Sequence, residues 1–176
     1  MQYTHKYSSP LGAITTASDG QKLTGLWFDG QKYFGRTLEK EHEEKFLSVF
    51  ECADAWLDIF SGKEPDFTPP LALAGSPFRQ KVWDILLAIP YGTTTTYGAI
   101  AAQIAAETGL SHMSAQAVGG AVGHNPISII IPCHRVVGMD GSLTGYAGGI
   151  KNKIKLLELE GADLSHLFVP KKGAAL

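Results

Sequence analysis

The stretch Ile127-Ser128-Ile129-Ile130-Ile131-Pro132-Cys133-His134-Arg135-Val136-Val137-Gly138 most constrains what this chain can fold into. Its apolar opening is too short to span a membrane and is rich in β-branched residues, so it reads as a buried strand. Pro132 cannot donate to a sheet ladder, and regular pairing is expected to stop there. Cys133 then sits where rigid scaffold gives way to an accessible turn, a common place for chemistry. A lone cysteine most often packs as a small hydrophobe. Followed directly by His134 and Arg135, whose positive charge would lower a thiol pKa, Cys133 reads instead as a reactive thiolate. His134 is not automatically its base, because neighbours in an extended chain point to opposite sides. A water bridging the two, with a carboxylate orienting the imidazole through its other nitrogen, would complete the set. Glu160, at the end of the last expected helix, is the candidate orienter.

The segments before this stretch divide in two. Tyr3–Tyr7, Ala13–Ala17 and Leu23–Phe28 read as strands separated by Ser9-Pro10-Leu11-Gly12 and Ser18-Asp19-Gly20 turns. Glu39 to Glu44 reads as a solvated acidic face. Phe46, Val49, Phe50, Ala53, Trp56, Leu57 and Phe60 recur at helical spacing, which predicts a helix packed on that small sheet and ended near Ser61-Gly62. Cys52 falls near its packing stripe and reads as structural. The proline-dense Lys63–Pro70 segment breaks regular structure and places a boundary by Ser76, giving a 1–75 scaffold module and a 76–176 domain.

From Ser76 the pattern turns helical. Ser76 is a plausible N-cap with Pro77 at the first helical position, and Phe78, Val82, Trp83, Leu86 and Leu87 form the stripe. Thr96 is expected to cap a helix over Tyr97–Ala105, and a second helix runs from about Met113 to Gly123. Two short helices rich in small residues and joined by a turn suggest a helix-turn-helix. After the Cys133 segment come a turn, the glycine-rich Gly145–Gly149 loop, and a last helix with Ile150, Ile154, Leu156, Leu157 and Leu159 inward and its lysines outward. The loop lacks a phosphate-binding frame and would suit one flat aromatic ligand beside Tyr146. The tail Pro170–Leu176 is expected to fray.

Composition limits the partners. The formal net charge is −2, which argues against unspecific polyanion binding by the whole molecule, but the charge is uneven. Residues 1–75 hold seven Lys and Arg against eleven Asp and Glu, while residues 76–176 hold eight against six. A nucleic acid would therefore meet the C-terminal part. With two cysteines, no signal peptide and no transmembrane run, the expected compartment is the reducing cytoplasm. No CxxC, HExxH or clustered ligand set is present, so no metal is expected.

Pro132-Cys133-His134-Arg135-Val136, preceded by Asn125-Pro126 and followed by Gly145-Tyr146-Ala147-Gly148-Gly149 and Leu156-Leu157-Glu158-Leu159-Glu160-Gly161, resembles the O6-alkylguanine-DNA alkyltransferase family (methylated-DNA–protein-cysteine methyltransferases). The ordered motifs cover about Pro77 to Gly161. The Ser-Pro-Leu-Gly turn and the general pattern extend the likeness to the N-terminal module. The resemblance implies a mixed α/β (α+β) fold, with a ribonuclease H-like sheet-and-helix module before a mostly helical, winged-helix-like domain. It implies a cofactor-free, single-use transfer of an alkyl group from guanine O6 in double-stranded DNA to Cys133, with O4-alkylthymine as a second candidate substrate, by a monomer. In that frame His134 is the water-mediated base, Glu160 its orienter and Asn125 the residue holding the turn. Tyr97 and Tyr146 donate to the guanine, while Val136, Gly145, Ala147 and Gly148 line the pocket. Met113, Ser114, Gln116, Ala117, Gly119 and Gly120 would meet the minor groove as the nucleotide flips out. Arg135 is grouped with these DNA contacts, although phosphate neutralisation and an internal ion pair are both open to it. The family usually carries an arginine at the position of Gln116, filling the gap left by the flipped base; a shorter, uncharged Gln implies weaker DNA affinity or slower transfer. A lesion sensor that flips without transferring, and a thiol hydrolase, are the competing readings. The presence of Cys133 disfavours the first, and the lack of any marked oxyanion hole the second.

Overall fold

The structure, a computed structural model, describes residues 1–171; most of the tail expected to fray lies outside them. Two compact units result. One comprises Met1–Ala74 with Pro126–Ile130, the other Gly75–Asn125 with the residues from Ile131 onward.

In the first unit, β1 (Gln2–Ser9), β2 (Gly12–Ser18) and β3 (Leu23–Phe28) form an antiparallel meander. The short acidic β4 (His42–Glu44) adds to β1 in parallel, so the sheet order is β3-β2-β1-β4. The acidic stretch is thus exposed, as its charge requires, and also an edge strand, where charged side chains discourage further pairing. Helix α1 (Ser48–Phe60) buries Val49, Phe50, Ala53, Trp56, Leu57 and Phe60, the i, i+3, i+4 stripe read from the sequence. Phe46 is the exception. It precedes the helix, is exposed, and meets the His5 ring edge-on at 4.8 Å between centroids.

The segment before Cys133 overturns the strand expectation. Ile127 to Ile131 are all buried, but only Ile127 makes a bridge, to Leu26 of β3, and residues 128–130 form a turn. Leu26 donates to the Pro126 carbonyl at 2.9 Å and Ser128 donates back to Leu26 at 2.9 Å. Ile129 has φ 71°, a rare conformation for a β-branched residue and incompatible with a continuing strand. The run is buried, as its composition predicts, but burial alone does not distinguish a strand from a buried turn.

The second unit is mainly helical. Helix α2 (Pro77–Leu87) starts as predicted, with Ser76 accepting from Arg79 N. Strand β5 (Thr95–Thr96) pairs in parallel with β6 (Val136–Val137), which brings the start of α3 (Tyr97–Thr108) beside the chain just after Cys133. Thr96 caps α3 by accepting from Ala99 N, and Gly109, at φ 70°, ends it in the left-handed conformation that glycine tolerates. Helix α4 (Ala115–Gly123) is capped by Ser114 and packs on α3 and α2, with the buried Trp83 Nε1 donating to Ala121 O at 2.9 Å. Helix α5 (Ile150–Leu159) closes the unit, and its C-cap is Glu160. Among the described residues no helix is long and apolar enough to cross a membrane.

Candidate active site

Cys133, His134 and Arg135 form one turn of 3-10 helix, the consequence of Pro132 ending the preceding segment. Arg135 N donates to Pro132 O at 3.0 Å, and Val136 N donates to Cys133 O. Asn125, at the end of α4, donates its side-chain amide to Ile131 O at 2.8 Å, fixing the approach to the turn. All three turn residues are buried, Cys133 with 6% of its surface remaining.

Glu160 reaches the turn from the end of α5. His134 Nε2 lies 2.7 Å from Glu160 Oε1, and Arg135 donates Nε to both carboxylate oxygens at 3.0 Å and Nη2 to Oε1 at 2.7 Å. Gly92 N donates to the other oxygen, Oε2, at 3.3 Å. Arg135 Nη1 donates to Ile89 O at 2.7 Å, and the guanidinium lies 5.5 Å from the Tyr91 ring centroid. The expectation that Arg135 contacts DNA is therefore corrected: its guanidinium is buried and committed to the protein, because a buried cation needs a buried partner.

The electrostatics correct a second expectation. Burial pushes the Cys133 thiol above its ordinary value, against the pull of an Asn125 hydrogen bond and the nearby Lys153 charge. The resting group is a thiol and not a thiolate, since Arg135 is neutralised by Glu160 and His134 is uncharged. Desolvation keeps His134 below the ordinary histidine value even though Glu160 favours its cation. Burial would raise the Glu160 carboxyl, but hydrogen bonds from His134 and Arg135 outweigh it and hold the group ionised. With the Nε2 proton on the Glu160 side, the Nδ1 lone pair is the basic atom of the ring.

Lys153 is a site residue that the sequence reading misplaced. It is fully buried, with Nζ donating to Val136 O at 2.6 Å and Thr144 O at 3.0 Å. Desolvation pushes its pKa down to about 8, a shift that the Cys133 sulfur opposes when it ionises. The spacing could have revealed it: Lys153, Leu156, Leu157 and Glu160 recur at i, i+3, i+4 and i+7 on the inward face of α5. Lys151 and Lys155 do lie on the exposed face.

Tyr97 is buried in the first turn of α3 and donates its hydroxyl to Thr144 O at 3.3 Å; burial, reinforced by the negative charge of Cys133 whenever that thiol ionises, pushes its pKa up to about 12, so it stays a neutral donor. The Tyr146 ring lies edge-on to His134, with centroids 6.4 Å apart. Gly145 is exposed at φ 60°, Ala147 and Gly148 are half-buried, and Val136 is wholly buried beneath the site. On α4, Gln116, Ala117 and Gly120 are exposed, and a Cβ at Gly120 would meet nothing within 4 Å. Gly119 is buried and cannot meet a groove, a correction that follows from its place on the inward side of α4 with Val118 and Val122. The helix also begins two residues later than expected: Met113 precedes it, and Ser114 is exposed but uses its hydroxyl oxygen as the cap.

Comparison with known proteins matches both parts of the chain to family models. Residues 2–73 match the ribonuclease-like domain, and residues 77–162 the DNA-binding domain, of 6-O-methylguanine DNA methyltransferase. The methylated-DNA–protein-cysteine methyltransferase of Mycobacterium bovis is 46% identical over 153 residues, covering 86% of this chain and 88% of that protein. The Haemophilus influenzae protein of the same name is 41% identical over 162 residues, covering 91% and 86%. The structure also resembles that of Mycobacterium tuberculosis OGT in complex with DNA, with a TM-score of 0.78, 42% identity and 94% of each chain covered.

Proposed function

This chain belongs to the 6-O-methylguanine DNA methyltransferase family, and from that premise we propose that it repairs double-stranded DNA by moving an alkyl group from guanine O6 to Cys133, once per molecule. DNA is the partner that its C-terminal domain implies. The observation that carries the reading is the Cys133 thiol on the same turn as a neutral His134, whose far nitrogen is held by an ionised Glu160. That is the arrangement of nucleophile, base and orienting carboxylate.

In the proposed step a water carries the Cys133 proton to His134 Nδ1, and Glu160 stabilises the imidazolium formed. The Lys153 ammonium stabilises the transient thiolate. The sulfur attacks the alkyl carbon, the S–C bond forms as the C–O6 bond breaks, and the bonding pair leaves on the guanine. Tyr146 donates to the base as negative charge develops there, and Tyr97 does so once its hydroxyl turns from the Thr144 carbonyl. The thioether has no route back, so the protein is consumed. Asn125 holds the turn, and Gly145, Ala147 and Gly148 admit the flat base between Tyr146 and the turn. Helix α4 meets the minor groove through Gln116, Ala117 and Gly120 while the nucleotide is extruded, at a cost of about a few kcal/mol that contacts must offset. Residues 76–176 handle the DNA, residues 1–75 serve as scaffold, and the protein acts as a monomer in the cytoplasm.

Titrating the protein with excess duplex carrying O6-methylguanine tests this. Repair should plateau at one guanine restored per protein molecule, and Cys133→Ala should restore none. Continued turnover, or repair by the alanine variant, would refute it.

A further inference from the structure

Met139 is 83% exposed, the most exposed large apolar residue among those described, yet it stands on a tightly held turn. Gly138 N donates to Ser142 O and Gly141 N to Gly138 O, each at 2.9 Å. Phe168 N donates to Gly141 O at 3.1 Å, and Leu143 N to Phe168 O at 2.8 Å. The turn follows β6, whose pairing with β5 places it against the start of α3. There the Met139 methyl lies over Gly98: a Cβ built on that glycine would come within 3.0 Å of it. Gly98 directly follows Tyr97, whose hydroxyl is turned inward to Thr144 O near Cys133. Successive residues of one helical turn thus form the inner wall of the base site and the seat of an exposed methionine.

We propose that Met139 is an apolar contact to DNA at the mouth of the base site, packing on the base or sugar beside the extruded nucleotide. The inference rests on the transfer reading above and extends it to a residue outside the reacting groups. The partner surface is apolar and not phosphate, because the adjacent side chain is the Asp140 carboxylate, which accepts from Ser142 N at 3.0 Å and would repel a phosphate. Extruding a nucleotide uncovers the faces of the flanking bases, and methionine is among the side chains that fill such gaps. Its unbranched, polarizable chain adapts to an uneven surface, and the bond network beneath it supplies a fixed mount.

The test compares transfer from an O6-methylguanine duplex with transfer from free O6-benzylguanine, which has no flanking nucleotides, in wild-type protein, Met139→Ala, Met139→Leu and Met139→Gln. The expected result is a ratio of duplex rate to free-base rate that falls about fivefold or more in the Ala and Gln variants and is kept by Leu. A ratio unchanged by Ala, or restored by Gln as fully as by Leu, would overturn the inference. A wild-type protein that takes an alkyl group from neither substrate would instead overturn the transfer reading, and this inference with it.

Discussion

Glu160 satisfies His134, Arg135 and Gly92 at once, so replacing it separates the charge from the shape of the site. Glu160→Gln is expected to cost about 3–5 kcal/mol of stability in urea denaturation, because the buried Arg135 loses its counter-ion. Transfer should fall by about tenfold or more as His134 loses its orienting charge. The same groups set the pH response. His134 in the folded state lies below its ordinary value of 6.5, so the unfolded chain binds more protons and stability declines as pH falls through that value. The depressed Glu160 carboxyl contributes stability that is present above its ordinary 4.5 and lost as pH falls through its lower folded value. Both contributions have the same sign, and thermal melts should fall in two stages, below pH 6.5 and again below pH 4.5; Glu160→Gln should lose the lower stage and keep the upper one, because without the carboxylate His134 is held still further below its ordinary value. Lys153→Met is expected to move titration of the Cys133 thiol further upward, read as the pH dependence of iodoacetamide labelling. Val136 and Thr144 also lose a donor in that variant, so Tm should fall as well; the upward titration shift is what distinguishes an electrostatic role from packing alone.

Helix α4 carries the prediction at the next scale. Gln116 is exposed near the start of α4, and nothing in the structure prevents a longer side chain there. Gln116→Arg should bind duplex DNA more tightly and steepen the dependence of log K on log salt by about one unit, as one added positive charge within the DNA interface requires. An unchanged slope and affinity would contradict the role given to that position. The elements most legible in the sequence were those with local signals. The caps at Ser76 and Thr96, the stripe of α1 and the three antiparallel strands lie where turn chemistry and periodicity put them. The elements that went astray depend on distant partners. Ile127–Ile131 has the composition of a strand, but Leu26 accepts only one residue of it as a bridge before the chain turns at Ile129. Phe46 continues the helical spacing, yet its ring is taken by His5 of β1.

For the whole molecule, the folded arrangement changes what Cys133 is before any substrate arrives. Sequence proximity to His134 and Arg135 suggested a standing thiolate; folding pairs Arg135 with Glu160, strips His134 of its charge and buries the sulfur, so the thiol rests protonated. The motif was legible because its residues lie side by side in the chain, whereas the charge balance depends on α5, more than fifteen residues further on, and on Lys153 facing inward. A protonated, buried thiol is spared wasteful side reactions. Peptide mass spectrometry after incubation with a duplex carrying O6-methylguanine tests alkyl transfer to Cys133. One methyl is expected on the peptide containing Cys133, none on the peptide containing Cys52, and none on either after Cys133→Ala. A repaired duplex with Cys133 unmodified, or tight binding with no methyl gained anywhere, would contradict it.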